Sequence, residues 1–244
     1  MEDDLSTDDA IRAARRAQRL ARYDELRAER PALFANPEGA AYEIVFDSQV
    51  QEEVANRSAA KLRELGRPEE YGDMGVIYED AFFIALRDTV RFRDGYTGPY
   101  IRWVAQAPTE GAVVLPIFGD GRILLTRQFR HHIRDWQWET PRGFAEPGDK
   151  GPETAIRELR EEIGITAEKV EFLGRLVDDN PCELWLARLD IDSYAVLPDG
   201  ATIEGIDEFR LVTVDELRDL IASGKVGDGG LLAAYAIATA RGLL

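Results

Sequence analysis

The stretch PRGFAEPGDKGPETAIRELREEIGI, residues 141–165, combines a loop rich in glycine and proline with a short, strongly charged segment. Three glycines and two prolines favour a loop over residues 143–152. Pro152 suits the first turn of a helix, which we predict over about residues 153–163, and Gly164 suits its C-terminal cap. We therefore expect a loop that bends back and leads directly into a short helix.

The predicted helix carries three glutamates on one side. Glu158 lies three residues before Glu161 and four before Glu162, so these side chains are neighbours on the helix surface. Like charges at this spacing destabilise an isolated helix by about 0.2–0.5 kcal/mol per pair. Arg157 and Arg160 would compensate this repulsion on an ordinary surface helix. Bound divalent cations are the alternative, because Mg²⁺ prefers a few carboxylates together with water and phosphate oxygens.

The spacing of the whole stretch resembles the sequence signature of the Nudix family, G-x5-E-x7-R-E-U-x-E-E-x-G-U, in which U is an aliphatic residue. Gly143, Asp149 and residues 157–165 fit this pattern in register. The one departure is Asp149, where the family has glutamate, and this shorter carboxylate puts its contacts within the loop in doubt. The resemblance implies the α/β fold of the family, an α/β/α sandwich with a mixed sheet.

The resemblance also implies a reaction and a set of site residues. Nudix hydrolases cleave a nucleoside diphosphate linked to another moiety, with Mg²⁺ or Mn²⁺ at the signature helix and water as the nucleophile. The implied metal ligands are Glu158 and Glu162, assisted by Glu161. The backbone carbonyl of Arg142 would complete the metal shell, and Arg157 would orient the glutamates. A chain that binds phosphate through such ions needs no large basic patch.

Residues around the signature are similar to the ADP-ribose and ADP-sugar pyrophosphatase branch of the family. In the segment RILLTRQFRHHIRDWQWETPRGF, residues 122–144, Arg130 stands where that branch places an arginine that contacts a phosphate. Glu139 precedes the Pro-x-Gly turn as it does there, and Pro181 is in keeping with the branch. The implied substrate is ADP-ribose or a related nucleoside diphosphate sugar. A dinucleotide, coenzyme A or a specialised nucleotide stays open, as does a module that senses a nucleotide without cleaving it.

Two further groups of residues have alternative interpretations. In the branch the general base commonly lies on a loop before a late strand, a place that residues 202–214 occupy here. Glu204 and Glu208 are our candidates for this catalytic role, although either acid also fits a loop that only needs solubility. Trp136 and Trp138 suit stacking on a nucleobase, and we assign Trp138 to substrate binding; their alternative is to cover an edge of the core.

The rest of the chain divides into three segments. Residues 1–75 are predicted as a helical N-terminal extension whose first helix runs over about residues 9–30. Residues 76–108 are predicted as a β segment from their short aromatic and β-branched runs, and residues 109–244 as the Nudix domain. In the branch such a β segment pairs across a homodimer, so we expect a homodimer. A basic stripe on the first helix fits either a partner's acidic face or a solvated face balanced by nearby Asp and Glu: Arg12, Arg15, Arg16, Arg19 and Arg22.

Turn and cap signals predict individual elements of the third segment. Two apolar strands flank the turn at residues 119–121 and predict a hairpin. Thr213 and Glu216 form the pattern of a capping box, which predicts the start of a helix. The apolar residues 231–244 predict a final helix.

Composition excludes several classes of function. The net charge of −16 repels the phosphate backbone of nucleic acid, so we expect a small-molecule nucleotide substrate and no nucleic-acid partner. Cys182 is the only cysteine, which excludes an intrachain disulfide and a cysteine cluster, so a metal must be held by oxygen. No apolar run approaches the ~20 residues of a membrane span, and the acidic N terminus is unlike a signal peptide. We therefore expect no membrane partner and a cytoplasmic location.

Overall fold

The computed structural model describes most of the chain: residues 2–106, 110–146, 148–177, 181–190, 192, 201 and 203–244, with side chains from residue 10 onwards. Residues 107 and 108 of the predicted β segment lie outside this set. The chain divides into two compact units, Met1–Gln106 and Ala107–Leu244. None of the described helices is both long enough and apolar enough to cross a bilayer.

The first unit contains two long helices and a small antiparallel sheet. Its elements are α1 (Glu2–Glu29), β1 (Tyr42–Ile44), α2 (Ser48–Glu64), β2 (Gly75–Glu79), β3 (Phe83–Phe92) and β4 (Thr97–Ala105), with 3-10 turns at Pro31–Phe34 and Glu69–Gly72. β3 pairs antiparallel with each of the other three strands. Our prediction that the first helix starts near residue 9 was wrong, since α1 already begins at Glu2. Acidic residues favour the positively polarised start of a helix, which explains the earlier beginning.

Helices and strands of the first unit share one core. Tyr23 and Leu26 of α1 pack together with Val76 of β2 and with Ile84 and Leu86 of β3. All five side chains are buried. The N-terminal extension and the β segment, which we predicted as separate segments, are therefore joined by shared hydrophobic contacts.

The arginine stripe of α1 binds carboxylates within the same unit. Asp73 is fully buried, and three guanidinium groups lie 2.7–3.1 Å from its oxygens, those of Arg15, Arg16 and Arg19. A buried carboxylate requires such charge-assisted hydrogen bonds to offset its desolvation. These three arginines thus pair with an aspartate of the same unit, in keeping with the second sequence interpretation, except that this aspartate is buried and not solvated.

The second unit is a mixed sheet between two helical layers. Its elements are β5 (Gly111–Phe118), β6 (Ile123–Arg130), β7 (Asp135–Glu139), β8 (Arg142–Gly143), α3 (Gly151–Ile163), β9 (Val170–Leu176), β10 (Cys182–Leu189), β11 (Ile206–Val212), α4 (Val214–Ala222) and α5 (Gly229–Ala240). The main path of the sheet is β11-β6-β5-β10-β9, with β7 beside β6 and β8 beside β5. β5 and β10 are parallel, and the other described pairs are antiparallel. β5 and β6 form the predicted hairpin.

β5 separates the two layers of the core. Its side chains alternate between the faces of the sheet, so that Val113 packs with Leu231 of α5 on one face while Val114 packs with Leu159 of α3 on the other. A strand covered on both faces is expected to be apolar along its length, and β5 is buried at every position after the first. The predicted α/β/α sandwich with a mixed sheet is confirmed.

Helix ends in this unit follow the sequence signals. α3 ends at Gly164, whose φ of +72° lies in the left-handed region that glycine tolerates. At its start the Lys150 N–H donates to the Glu153 carboxylate at 3.0 Å. The predicted capping box is confirmed: the Glu216 N–H donates to the Thr213 hydroxyl at 3.1 Å, and the Thr213 N–H donates to the Glu216 carboxylate at 2.8 Å.

Candidate active site

A cavity of about 800 Å³ lies where α3 and the preceding loop meet the sheet of the second unit. Most of the site residues predicted from the sequence line it: Arg130, Arg142, Arg157, Glu158, Glu161, Glu162 and Glu204. The volume is in the range of small-molecule binding pockets, about 300–1,000 Å³. The structure therefore brings together the charged residues that the chemistry requires.

Two of the α3 glutamates are buried in surroundings that oppose their charge. Glu158 is 5% exposed and Glu162 is 2% exposed. Burial raises the pKa of Glu158 to about 7, although Arg157 acts in the opposite direction. Burial, followed by the charges of Glu158 and Glu204, raises the pKa of Glu162 well above its ordinary value. A divalent cation would stabilise both carboxylates in their ionised form.

Arg157 joins the glutamates of α3 to the loop. Its Nη1 lies 2.8 Å from Glu158 Oε1 and 2.8 Å from Glu161 Oε2. Its Nε donates to Asp149 at 3.2 Å and its Nη2 donates to the carbonyl of Phe144 at 2.6 Å. Burial alone would lower the pKa of Arg157, but the surrounding carboxylates outweigh it and raise the pKa. Asp149 therefore contacts α3, and it also accepts the Glu146 N–H within the loop at 3.4 Å, despite being shorter than the glutamate of the family pattern.

The loop backbone is shaped around the two buried carboxylates. A Cβ placed on Gly143 would lie 2.2 Å from Glu158 Oε1, so only glycine leaves room for this carboxylate as it is placed. The neighbouring N–H of Arg142 donates to Glu162 Oε2 at 3.3 Å. The role that we predicted for the Arg142 carbonyl stays a prediction.

The carboxylates of α3 are of the chemical type that binds divalent cations, but their positions in the structure do not form a complete set of metal ligands. Within the part of the chain that the structure describes, no three acidic, histidine or cysteine side chains form a group that could hold a metal ion. Glu158 and Glu161 both contact Arg157 instead. Carboxylate oxygens are nevertheless the ligands that hard divalent cations prefer. Two buried carboxylates with raised pKa values make Glu158 and Glu162 the best candidates to bind one.

A network of alternating charges, with two buried carboxylates and two partly exposed arginines, also reaches this cavity. Glu139 is fully buried and pairs with both Arg130 and Arg142. The Arg130 Nε donates to Glu139 Oε1 at 2.7 Å. On its other side, Arg142 Nη1 lies 2.7 Å from Asp228 Oδ2. The structure thus places Glu139 as a support for two cavity arginines.

Three of the predicted site residues are not among the described residues that line the cavity. Trp138 packs against the core cluster that includes α4 and α5, which corresponds to the core-edge interpretation. Glu208 lies 3.3 Å from Arg127 on the neighbouring strand. Glu139 is the third, because its carboxylate is covered by its two arginines. Side chains on a strand alternate between faces, so neighbours in sequence are separated in space.

Sequence reasoning missed two polar residues that shape the cavity. Gln128 lines it and donates its Nε2 to the backbone carbonyl of Glu204 at 3.0 Å, which holds that segment in place. Asp228 caps α5 by accepting the Leu231 N–H at 2.7 Å. An aspartate directly before Gly229 and an apolar helix is a recognisable N-cap signal, so Asp228 could have been found as a cap. Its ion pair with a distant arginine could not.

In the absence of divalent cations, raising the pH is expected to destabilise the wild-type protein relative to a Glu162→Gln variant. The pKa values of Glu158 and Glu162 are raised in the folded chain, above the value of about 4.3 expected for an unfolded chain. Their contribution to stability is therefore complete below the unfolded pKa and is lost as the pH rises through the folded pKa, which is about 7 for Glu158.

Thermal melts in EDTA measure this effect as the Tm of the variant minus that of the wild type. We expect the difference to be small near pH 5 and to grow in favour of the variant by a few degrees near pH 8, because about 1 kcal/mol corresponds to ~2–4 °C at this chain length. Added Mg²⁺ should raise the Tm of the wild type at pH 8 more than that of the variant. A difference that stays constant across this range contradicts the electrostatic assignment.

The amino-acid sequence matches a known protein family. Residues 108–235, more than half of the chain, match the NUDIX domain family. The chain therefore belongs to the Nudix family, and it is a hydrolase of the pyrophosphatase class.

Several characterised proteins are similar to parts of this chain. An ADP-ribose pyrophosphatase of Bacillus subtilis (strain 168) is 43% identical over 136 residues, which covers 52% of this chain and 70% of that protein. An RNA pyrophosphohydrolase of Cereibacter sphaeroides is 47% identical, but over only 51 residues, 19% of this chain and 32% of that protein. A solved structure of an ADP compounds hydrolase covers 69% of this chain and 93% of its own, with a TM-score of 0.56. At 18% identity this last similarity concerns the fold alone.

Proposed function

We propose that this Nudix hydrolase cleaves the pyrophosphate bond of ADP-ribose or a related nucleoside diphosphate sugar, with Mg²⁺ or Mn²⁺ as the cofactor. The products are a nucleoside monophosphate and a sugar phosphate. The observation that carries the proposal is the cavity in which the glutamates of α3 face the same space as Arg130 and Arg142. The similarity to an ADP-ribose pyrophosphatase over 136 residues supports this substrate class.

In the proposed reaction the α3 carboxylates bind the cofactor and the arginines bind the substrate. Glu158 and Glu162 would hold the ion, with Glu161 assisting and the Arg142 carbonyl completing the ligands. The chemistry that the ion supplies when bound is neutralisation of phosphate charge and polarisation of the scissile bond. Arg130 would donate its N–H groups to a phosphate, for which a guanidinium is geometrically suited. A cation bound by these carboxylates would offset negative charge in the site, so that a chain with a net charge of −16 could still bind phosphate.

Glu204 is the general base in this proposal. It lines the cavity, and burial, followed by the charge of Glu161, raises its pKa, which brings a carboxylate closer to the range in which it accepts protons efficiently. It would take the proton of the attacking water as the new oxygen–phosphorus bond forms. The bridging oxygen then leaves with the electron pair of the broken phosphorus–oxygen bond.

Glutamine substitutions distinguish the two candidate bases. We expect Glu204→Gln to lower kcat by about 10²–10⁴-fold, the usual contribution of a general base. Glu208→Gln is the matched control, since Glu208 contacts Arg127 instead of lining the cavity, and should stay within about twofold of wild type. Steady-state kinetics at saturating substrate and Mg²⁺ measures both. The reverse order of effects would transfer the role to Glu208.

A panel of nucleotides tests the substrate. Purified protein with Mg²⁺ or Mn²⁺ is incubated with ADP-ribose, other nucleoside diphosphate sugars, dinucleotides and coenzyme A, and products are separated by chromatography. We expect ADP-ribose or another nucleoside diphosphate sugar to give the highest kcat/KM. Hydrolysis of a dinucleotide or coenzyme A alone would retain the chemistry and change the substrate. Tight ADP-ribose binding by calorimetry without any turnover would instead indicate a nucleotide sensor.

We also propose that the chain forms a homodimer through its first unit. Of the described strands β4 pairs with β3 alone, and it exposes Ile101 and Trp103 by 47% and 49%. Apolar side chains on an edge strand favour pairing with a second chain. Light scattering should therefore give about twice the chain mass of 27.4 kDa, and a monomer at micromolar concentration contradicts the proposal.

The expected cytoplasmic location stays a prediction.

A further inference from the structure

Asp228 connects the start of α5 to the loop that carries the signature glycine. The side chain is almost completely buried, and its two oxygens have different partners. Oδ1 accepts the N–H of Leu231 at 2.7 Å, which caps α5. Oδ2 lies 2.7 Å from Nη1 of Arg142. One buried carboxylate therefore fixes both a helix end and an arginine of the cavity.

Charge balance makes this second contact important. Arg130 and Arg142 share the carboxylate of Glu139, so Glu139 alone would leave two guanidinium groups with one negative charge. Asp228 supplies the second negative charge at the far side of Arg142. Only the carboxylate of this pair is buried, whereas the Arg142 side chain is 29% exposed, so removing the carboxylate charge favours rearrangement of the guanidinium. The position of the Arg142 side chain is therefore expected to change when Asp228 loses its charge.

The backbone of Arg142 lies between the two buried carboxylates of α3. Its own N–H donates to Glu162 at 3.3 Å, and the next residue, Gly143, has the Glu158 carboxylate in the space that a Cβ would occupy. We propose that Asp228 is a positioning residue for these carboxylates, acting by holding the Arg142 side chain and thereby the backbone that contacts them. The inference rests on the proposed function, in which Glu158 and Glu162 bind the divalent cation. Partners behind metal ligands of this kind typically change metal affinity or activity by ~10–100-fold.

The substitution Asp228→Asn separates the two contacts of this side chain. Asparagine is about as good an N-cap as aspartate, so the contact with Leu231 is retained, while the charge that binds Arg142 is lost. Asp47 provides a matched control, because it caps α2 by accepting the N–H groups of Gln49 and Val50 at 3.0 Å each. Asp47→Asn thus makes the same chemical change at another helix start, in the first unit.

Mn²⁺ binding without substrate is the measurement, by electron paramagnetic resonance or calorimetry on the full-length protein. We expect Asp228→Asn to weaken Mn²⁺ binding by about 10-fold or more, with a lower kcat and a Tm within a few degrees of wild type. Asp47→Asn should bind Mn²⁺ as the wild type does. Wild-type affinity in Asp228→Asn, or no Mn²⁺ binding by the wild-type protein, would overturn the inference.

Arg142→Gln tests the same link from the other side. It leaves the cap of α5 intact and removes the ion pairs of Arg142 with Asp228 and Glu139, so its Mn²⁺ affinity should fall at least as far as that of Asp228→Asn. The double variant should bind Mn²⁺ about as Arg142→Gln does, because Asp228→Asn acts only through the ion pair that Arg142→Gln already lacks. Independent, additive losses of affinity would overturn the inference. If Asp228→Asn does not fold, unchanged Mn²⁺ affinity in Arg142→Gln would overturn the inference by itself. A wild-type protein that binds Mn²⁺ but hydrolyses no nucleotide would refute the proposed function, while these affinities would still decide the role of Asp228.

Discussion

Replacing Glu162 by glutamine is expected to lower kcat by more than about 100-fold, because even partners behind metal ligands cost ~10–100-fold. The substitution keeps the shape of a side chain that is 2% exposed and removes only its charge. Glutamine also keeps a carbonyl oxygen that can accept the N–H of Arg142. The fold should therefore persist, and the loss should arise from weaker binding of the divalent cation.

Kinetics at several Mg²⁺ concentrations measure this loss, and circular dichroism checks the fold. Glu168→Gln is the matched control, because Glu168 is an exposed glutamate of the same unit, outside the cavity lining, and its kcat should equal that of wild type. If Glu162→Gln retained most of its activity at low Mg²⁺, the assignment of Glu162 as a metal ligand would be wrong.

Gly143→Ala should also impair catalysis and lower kcat by about 10-fold or more. Its Cβ would lie 2.2 Å from Glu158 Oε1, far inside any normal contact, so the Glu158 carboxylate must move away from the loop. The end of a glutamate side chain can rotate, which is why we expect lost activity with only a modest loss of stability. A displaced ligand also lowers metal affinity, since productive geometry tolerates deviations of only about 0.5 Å.

Gly227→Ala is the control for the added methyl group, because a Cβ there meets nothing within 4 Å. It should keep the kcat of wild type, whereas Gly143→Ala should show reduced kcat and weaker Mn²⁺ binding. Full activity in Gly143→Ala would show that the Glu158 carboxylate does not need its present position against the loop.

Local signals sufficed for the part of the site that one short helix carries. The placement of Glu158, Glu161 and Glu162 on one side follows from the periodicity of an α-helix, and the structure agrees, since all three line the cavity. The stop at Gly164 follows equally from its left-handed conformation. These features depend on residues within a few positions of each other, so no knowledge of distant contacts was needed.

Residues on strands were less predictable, because their direction depends on register. Glu204 and Glu208 are close in sequence, but Glu204 precedes β11, and a register irregularity between Ile206 and Glu208 interrupts the alternation of side chains within that strand. Glu204 lines the cavity, whereas Glu208 contacts Arg127. Trp138 had two possible directions from the sequence, and the structure shows it packed against the core.

The sequence by itself determined the family signature and the helix that carries the glutamates, because spacing and periodicity are local properties of the chain. The sandwich of the second unit followed from the resemblance to the Nudix family. Only the tertiary structure decided that Glu139 is buried between Arg130 and Arg142 and that Asp228 completes this network. The physical reason is that ion pairs between residues far apart in sequence form only where folding brings them together and removes water. Burial also raises the pKa values of Glu158 and Glu162. The burial of a side chain depends on tertiary packing and cannot be read from the sequence pattern.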